Sequence, residues 1–394
     1  MKKISQYLSI TILLCITLNG NPLTITIIGT GYVGLVSGAG LADIGNKVIC
    51  ADIAKEKIAA LKLGIIPIYE PELDDLVSRN VKAGRLSFTD NVDDAILDAD
   101  IIFIAVGTPM GDDGSADLAA VKSVTQAVAT HMNKYKVICT KSTVPVGTGK
   151  WIRQLLREQK INDDMYDIVS NPEFLREGCA VNDFLRPDRI IIGVETNKAK
   201  EVMTSIYAPM IAQHTPVLFT DIATSETIKY ASNGFLAIKI SYINEIANFC
   251  KQAGANVYGV AKGMGMDKRI GSLFLNPGPG FGGSCFPKDC HALVHMADEQ
   301  NTSVLVIKAA LEANEFQKKL AVEKLKTIIG PLQGKTIAVL GLAFKANTDD
   351  VRYSPSITVI NELLAQGAKV QAYDPAAEKT MQFVFPIGLS LIHI

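Results

Sequence analysis

The chain has 394 residues, 48% hydrophobic and 20% charged, and its 39 basic and 40 acidic side chains leave a net charge of −1. That length holds two or three domains with sizeable cores, and the balanced charge excludes a basic nucleic-acid binder or a polybasic membrane anchor. Seven cysteines (Cys15, Cys50, Cys139, Cys179, Cys250, Cys285, Cys290) include no Cys-x-x-Cys pair, so neither a disulfide framework nor a zinc module is expected and a reducing, cytoplasmic location fits.

Lys2 and Lys3 precede an apolar run from Tyr7 to Leu18, the layout of a secretory signal, but Leu18-Asn19-Gly20-Asn21-Pro22 lacks a small-x-small cleavage site. Residues 1–22 are set apart as an N-terminal extension or signal-like segment. Leu23–Ile28 then reads as a strand, followed by a glycine turn, a helix to Ile44 and a strand over Lys47–Asp52, a β-α-β unit. The alternation continues with a buried strand over Asp100–Val106, a helix over Leu118–His131, a strand over Tyr135–Thr140 and a helix over Gly147–Gln159. Such alternation predicts a doubly wound parallel sheet of Rossmann type over 23–215.

Asp221–Ala253 has helical spacing with no internal proline, only Gly234 as a weak point and Gly254 as a stop. It is expected to be a long helix linking two α/β halves, within a central domain over 216–330. A further helix is expected over Ser303–Ile329. Lys335–Gly341 and Lys369–Tyr373 then begin a second Rossmann-like unit over 331–394. Periodicity fades after Asp374-Pro375, and Met381–Ile394 finds no place in a βα series. The second unit is therefore expected to be incomplete, the chain truncated with a foreign tail, and its activity weak or absent.

Two stretches carry chemistry. Gly29-Thr30-Gly31-Tyr32-Val33-Gly34 is a G-x-G-x-x-G between a predicted strand and helix, the context a dinucleotide needs. Gly29 allows the tight turn, Gly31 lets backbone approach a pyrophosphate, and Gly34 lets helix and strand pack closely. Asp52, ending the next strand, suits the ribose hydroxyls of NAD and would repel the 2′-phosphate of NADP. In Gly278-Pro-Gly-Phe-Gly-Gly-Ser-Cys-Phe-Pro-Lys-Asp289, Cys285 sits where a helix begins, so the helix dipole and Lys288 are expected to favour its thiolate. Asp289 lies one turn further on. His291 and His295 have no evident third ligand, so no metal site is expected.

The second stretch resembles the catalytic signature of the UDP-glucose 6-dehydrogenase family. Further segments match in order: GTGYVGLV at 29–36, IPIYEPELDDL at 66–76, VGTP at 106–109, STVPVGT at 142–148, NPEFLREG at 171–178, ETIKYASN at 226–233 and FKANTDDVR at 344–352. The resemblance covers Leu23 to Pro375. It implies oxidation of the C6 alcohol of UDP-glucose to a carboxylate, with two hydrides passing to two NAD⁺. Cys285 would attack the intermediate aldehyde to give a thiohemiacetal, then a thioester that water releases.

By matched position, the resemblance gives Lys229 and Asn233 the developing oxygen charge. It gives Asp289 a water or a proton transfer, and Glu173 the activation of water that Thr143 positions. It implies substrate contacts at Glu173, Phe174, Leu175, Arg176, Glu177, Lys229, Asn233, Arg269 (in some members from the partner subunit), Phe274, Leu275, Asn276, Pro277, Gly278, Gly282 and Lys345. NAD contacts are implied at Gly29, Gly31, Tyr32, Val33, Gly34, Asp52, Lys57, Thr108, Thr143, Glu177, Lys288 and Arg352, and a homodimer through the long helix. Three other readings stay open: a sister enzyme for GDP-mannose, UDP-N-acetylglucosamine or UDP-N-acetylmannosamine; a one-step hydroxyacid dehydrogenase; and a non-catalytic NAD-binding remnant.

Overall fold

The computed structural model describes residues 23–385 and the backbone of 390–391. The extension expected over 1–22 lies outside the described residues. The first eight strands are β1 (Thr24–Ile28), β2 (Lys47–Ala51), β3 (Leu86–Thr89), β4 (Ile101–Ile104), β5 (Lys136–Thr140), β6 (Tyr166–Ser170), β7 (Ile190–Gly193) and β8 (Val217–Thr220). They form one sheet in the order β3-β2-β1-β4-β5-β6-β7-β8. From β3 to β6 every pairing is parallel. β7 runs antiparallel to β6 and β8 parallel to β7, an edge pair that the sequence reading did not resolve.

The apolar runs explain the burial. In β4, Ile101 and Phe103 pack into the core on one face and Ile102 and Ile104 into the core on the other. A strand covered on both faces needs such an unbroken run. The chain reverses between β1 and β4, and ligands of doubly wound sheets bind at the carboxyl ends of the strands there.

The long helix spans Ile222–Ala253. Asp221 caps it by accepting from the Thr224 amide at 2.8 Å, and Gly254 ends it in the left-handed conformation at φ 71°. Gly234 is explained by packing: a Cβ there would lie 2.7 Å from Ile307 Cδ1 of the helix Leu305–Ile329. The buried face of the long helix carries Glu226, Lys229, Tyr230, Asn233 and Asn244, polar groups that a purely structural helix would rarely bury.

A second parallel sheet joins β9 (Thr336–Leu340), β10 (Lys369–Tyr373) and β11 (Ser390–Leu391) in the order β11-β10-β9. Its first turn repeats the first domain's design. Asp374 after β10 accepts from the Leu342 and Ala343 amides after β9, as Asp52 after β2 accepts from the Thr30 amide after β1. The expectation that Met381–Ile394 has no place in a βα series is corrected: Glu378–Val384 is a helix and β11 pairs with β10. Met381 is fully buried in this unit's core, an anchor that too short a periodic pattern had concealed. Among the described residues, no helix is long and apolar enough to cross a membrane.

Candidate active site

The turn after β1 leads into the helix Tyr32–Asp43, which begins at Gly31 without a side-chain cap, so its first amides keep their donors. Each glycine has a distinct reason. Gly29 has φ 101°, and a Cβ on it would lie 2.6 Å from the Ala105 carbonyl oxygen; a Cβ on Gly34 would lie 1.8 Å from the Gly29 carbonyl oxygen. A Cβ on Gly31 would meet nothing within 4 Å, so that glycine keeps clear the outer side where a pyrophosphate approaches. Asp52 takes hydrogen bonds from the Thr30 amide, the Thr30 hydroxyl, the Ala54 amide and Lys57 Nζ, the last at 3.0 Å. Burial works against its charge, but these donors hold its carboxyl down at about 2. The residues present therefore fit NAD, with uncapped amides for the pyrophosphate and an ionised carboxylate for the ribose.

Tyr32 turns its phenol away from this turn. It hydrogen-bonds Glu70 and accepts from the Gly178 amide at 3.0 Å. Glu70 also accepts from the Gly178 and Ala180 amides at 2.6 and 2.7 Å. Glu70, unassigned within its motif at the sequence level, thus fastens the loop after β6 to the dinucleotide turn.

A cavity of about 760 Å³ opens between the first sheet and the long helix. Glu173, Phe174, Leu175, Arg176, Glu177, Lys229, Asn233, Phe274, Gly282, Cys285 and Lys345 all line it. Lys229 Nζ sits 2.8 Å from Glu173 Oε1, and the other oxygen of Glu173 accepts from the Leu175 amide at 2.5 Å. Burial opposes both charges, yet each partner favours the other's ionised form, and Glu173 is held below the usual carboxylate range and Lys229 above the usual amine. One turn along, Asn233 Nδ2 donates to Asp289 Oδ2 at 2.6 Å. Lys288 Nζ lies 2.5 Å from Asp289 Oδ1, so it serves that carboxylate as an ion-pair partner.

Cys285 caps the helix Phe286–Glu299 at its N-terminal end, with the Ser284 hydroxyl 3.6 Å from Sγ. The expected thiolate is not what this arrangement favours. Burial, and then the negative charge of Glu173, push the thiol up to about 11, outweighing the Lys229 cation and the Ser284 hydroxyl. Desolvation is the largest influence on this thiol.

Glu177 joins three parts of the chain. It accepts from Ser284 Oγ at 3.1 Å and Thr348 Oγ1 at 3.3 Å, and Arg352 lies 3.7 Å away while also gripping Asp350. Burial, then the nearby Asp350 charge, raise its carboxyl to about 7.

Other expected positions lie outside the cavity lining. Thr143 follows β5, and its carbonyl accepts from Thr108 Oγ1 at 2.9 Å. The Gly278 amide donates to Asn244 and its carbonyl accepts from Gln317, while Leu275 is buried. Asn276 is exposed and Pro277 half-buried. Arg269 pairs with Asp267 and its side chain is 89% exposed, so within one chain it does not reach the cavity. His295 pairs with Glu299 at 3.4 Å. Lys141, buried in the cavity wall, was missed; its only sequence signal was adjacency to the STVPVGT segment.

Three domains of the UDP-glucose/GDP-mannose dehydrogenase family match in order: its NAD binding domain over residues 23–211, its central domain over 223–316 and its UDP binding domain over 338–393. The UDP-glucose 6-dehydrogenase TuaD of Bacillus subtilis is 51% identical over 353 residues, 90% of this chain and 76% of the relative. A UDP-glucose 6-dehydrogenase of Rhizobium meliloti is also 51% identical, covering 89% and 81%. The solved UDP-glucose dehydrogenase of Pyrobaculum islandicum superposes with a TM-score of 0.91 at 38% identity, over 94% of this chain and 86% of that one. The chain belongs to the UDP-glucose/GDP-mannose dehydrogenase family of NAD-dependent oxidoreductases.

Proposed function

We propose that this protein oxidises UDP-glucose to UDP-glucuronate in two NAD-dependent steps at Cys285. The observation that carries the reading is the one cavity lined by Cys285, Lys229, Glu173 and Asn233, with the buried Asp289 carboxylate bonded to Asn233 behind its wall. NAD⁺, when bound, would take up the hydride released in each oxidation, and the proton of the C6 hydroxyl would pass to a water held by Asp289. Lys229 and Asn233 donate toward the C6 oxygen as negative charge gathers there. Cys285 Sγ adds to the C6 carbonyl carbon, and Asp289 takes part in moving the displaced proton. The second oxidation leaves a thioester on Sγ. Glu173 then removes a proton from the attacking water, and the C–S bond breaks.

UDP-glucose is favoured over other nucleotide sugars because the relatives near half identity carry that name. The solved UDP-N-acetylmannosamine dehydrogenase Cap5O of Staphylococcus aureus is 27% identical, and a GDP-mannose dehydrogenase from Pseudomonas aeruginosa is 29% identical. Phe174 to Glu177, Phe274, Gly282 and Lys345 would hold the nucleotide sugar, and Arg269 would reach it from a partner subunit. The long helix exposes Phe235, Tyr242 and Phe249 at heptad spacing, a stripe suited to a second copy in a homodimer. A cytoplasmic location follows from the need for an NAD pool.

The test is to supply NAD⁺ and UDP-glucose, follow NADH and quantify the sugar acid. Two NADH per UDP-glucuronate are expected. Turnover with GDP-mannose or UDP-N-acetylmannosamine in place of UDP-glucose would move the chain to a sister specificity, and one NADH per product would reject the thioester route.

A further inference from the structure

We propose that Lys141 is a positioning residue for thioester hydrolysis, a second buried cation that keeps Glu173 ionised when Lys229 turns to the substrate oxygen. The inference rests on the functional reading above and adds a residue to it. Lys141 is 5% exposed at the end of β5, where it forms part of the cavity wall. Its Nζ has a hydrogen bond to Asn171 Oδ1 at 3.2 Å. Asn171 cannot turn away, because its amide donates to the Ile191 carbonyl at 2.8 Å and its Oδ1 also takes the Tyr207 hydroxyl at 2.6 Å. A lysine carries three donors, and burying its charge beside a neutral amide is costly unless a carboxylate is near. Glu173 is that carboxylate: burial pushes the Lys141 amine down to about 8, the Glu173 charge works against that fall, and the Lys141 charge in turn helps hold Glu173 below the usual carboxylate range, with both side chains in the wall of one cavity.

The arrangement answers a conflict in the chemistry. Lys229 is paired with Glu173 in the free protein, yet the reaction asks it to donate to the C6 oxygen. When it turns, a fully buried Glu173 with one cation would be stranded, and desolvation would drive it to protonate. Lys141 does not face the substrate oxygen's demand, since Asn171 holds it. Glu173 therefore stays a base for the step in which water oxygen bonds to the thioester carbon. Glu173 receives the water proton, and the C–S electron pair returns to Cys285 Sγ.

The experiment compares wild type, Lys141→Gln and Lys141→Arg across pH 6–9 with UDP-glucose and NAD⁺, measuring turnover and, by intact mass after rapid quench, the acyl adduct on Cys285. Gln keeps a donor for Asn171 without charge, and Arg keeps the charge. The expected result for Lys141→Gln is an acid limb at about pH 7 where the wild type has none above pH 6, which gives about a tenfold rate loss at pH 6 that shrinks toward pH 9, with adduct accumulating at low pH. Lys141→Arg is expected to keep the wild-type profile even if slower overall. Lys141→Gln and Lys141→Arg profiles that overlay wild type in shape, or that shift equally, would overturn the inference. If Lys141→Gln does not fold, a Lys141→Arg profile displaced from wild type overturns it and an undisplaced one supports it. Absence of NADH from the wild type would instead reject the functional reading, and the inference with it.

Discussion

Lys229 Nζ and Glu173 Oε1 stand 2.8 Å apart with both side chains about 95% removed from solvent, one on the long helix and the other on the loop after β6. A pair so placed couples stability to catalysis. Removing one partner leaves an uncompensated buried charge, which costs about 3–5 kcal/mol. Lys229→Ala is therefore expected to lower the unfolding midpoint in urea as well as abolish turnover. Lys229→Met with Glu173→Gln together should recover most of the stability and none of the activity. Because Glu173 is held below its ordinary value in the folded protein, the stability it contributes is present above its unfolded pKa and is lost as pH falls through the folded value. Denaturant titrations from pH 7 down to pH 3 should show wild type losing this increment and the double variant not.

Glu173→Gln alone separates the two halves of the proposed reaction. The oxidations do not need a base at Glu173, but hydrolysis does. The variant is expected to give a burst of about two NADH per site followed by turnover slowed by 10²–10⁴, with a Cys285 adduct seen by intact mass. A slow first turnover with no burst would place Glu173 in the oxidation steps.

The thiol invites a direct chemical measurement. With a pKa of about 11, raised first by burial and then by Glu173, Cys285 is mostly protonated in the free protein at neutral pH. Its alkylation by iodoacetamide, followed by peptide mass mapping, should climb steadily through pH 9–11 without a plateau near neutrality. Glu173→Gln removes one of the charges that raise the thiol and should speed alkylation severalfold at pH 8. A plateau below pH 8 in wild type would mean that the helix start dominates after all.

The contrast between that thiol and the glycine turn shows what a sequence carries. Gly29, Gly31 and Gly34 were legible because each answers a local demand on backbone, and the structure supplies a separate reason for each. Lys229 with Asn233, and Cys285 with Asp289, were legible as helical neighbours. The charge state of Cys285 was not, because burial depends on walls contributed from residues 141 to 345. Lys141 was hidden for a related reason: its partner Asn171 lies thirty positions on, and Tyr207 fixes that partner from further still. Glu70 belonged to a motif, but its three contacts, Tyr32, Gly178 and Ala180, are tertiary. The reversed edge formed by β7 and β8 escaped because periodicity carries no strand direction, and the reversal is set by the tertiary pairing of β7 with β6 at Ser170 and Gly193.

Glu177 predicts a pH-dependent interlock between domains. Its carboxyl, raised to about 7 by burial and then by Asp350, prefers to be protonated in the folded assembly. A raised folded pKa contributes stability that is complete below the unfolded value and lost as pH rises through the folded one. The wild-type Tm should fall by several degrees between about pH 5 and pH 8 through this group. Glu177→Gln, a permanent neutral mimic, should flatten that part of the profile in calorimetry. Arg352 opposes the effect, so Arg352→Ala should steepen it.

The glycine turn offers the cleanest separation of binding from folding. A methyl on Gly34 would overlap the Gly29 carbonyl oxygen at 1.8 Å, a collision between two backbone segments that side-chain motion cannot relieve. Gly34→Ala is expected to destabilise the first domain by several kcal/mol or to prevent its folding. Gly31 has φ −73°, and a Cβ there would stand in open space, so Gly31→Ala should fold with an unchanged Tm. The same methyl would occupy the side from which the pyrophosphate approaches the uncapped amides, so NAD affinity by isothermal titration should fall at least about tenfold, or 1.4 kcal/mol. Unchanged NAD affinity in a folded Gly31→Ala variant would mean that the dinucleotide does not cross this turn, and the assignments of Gly31 and Val33 would fall together.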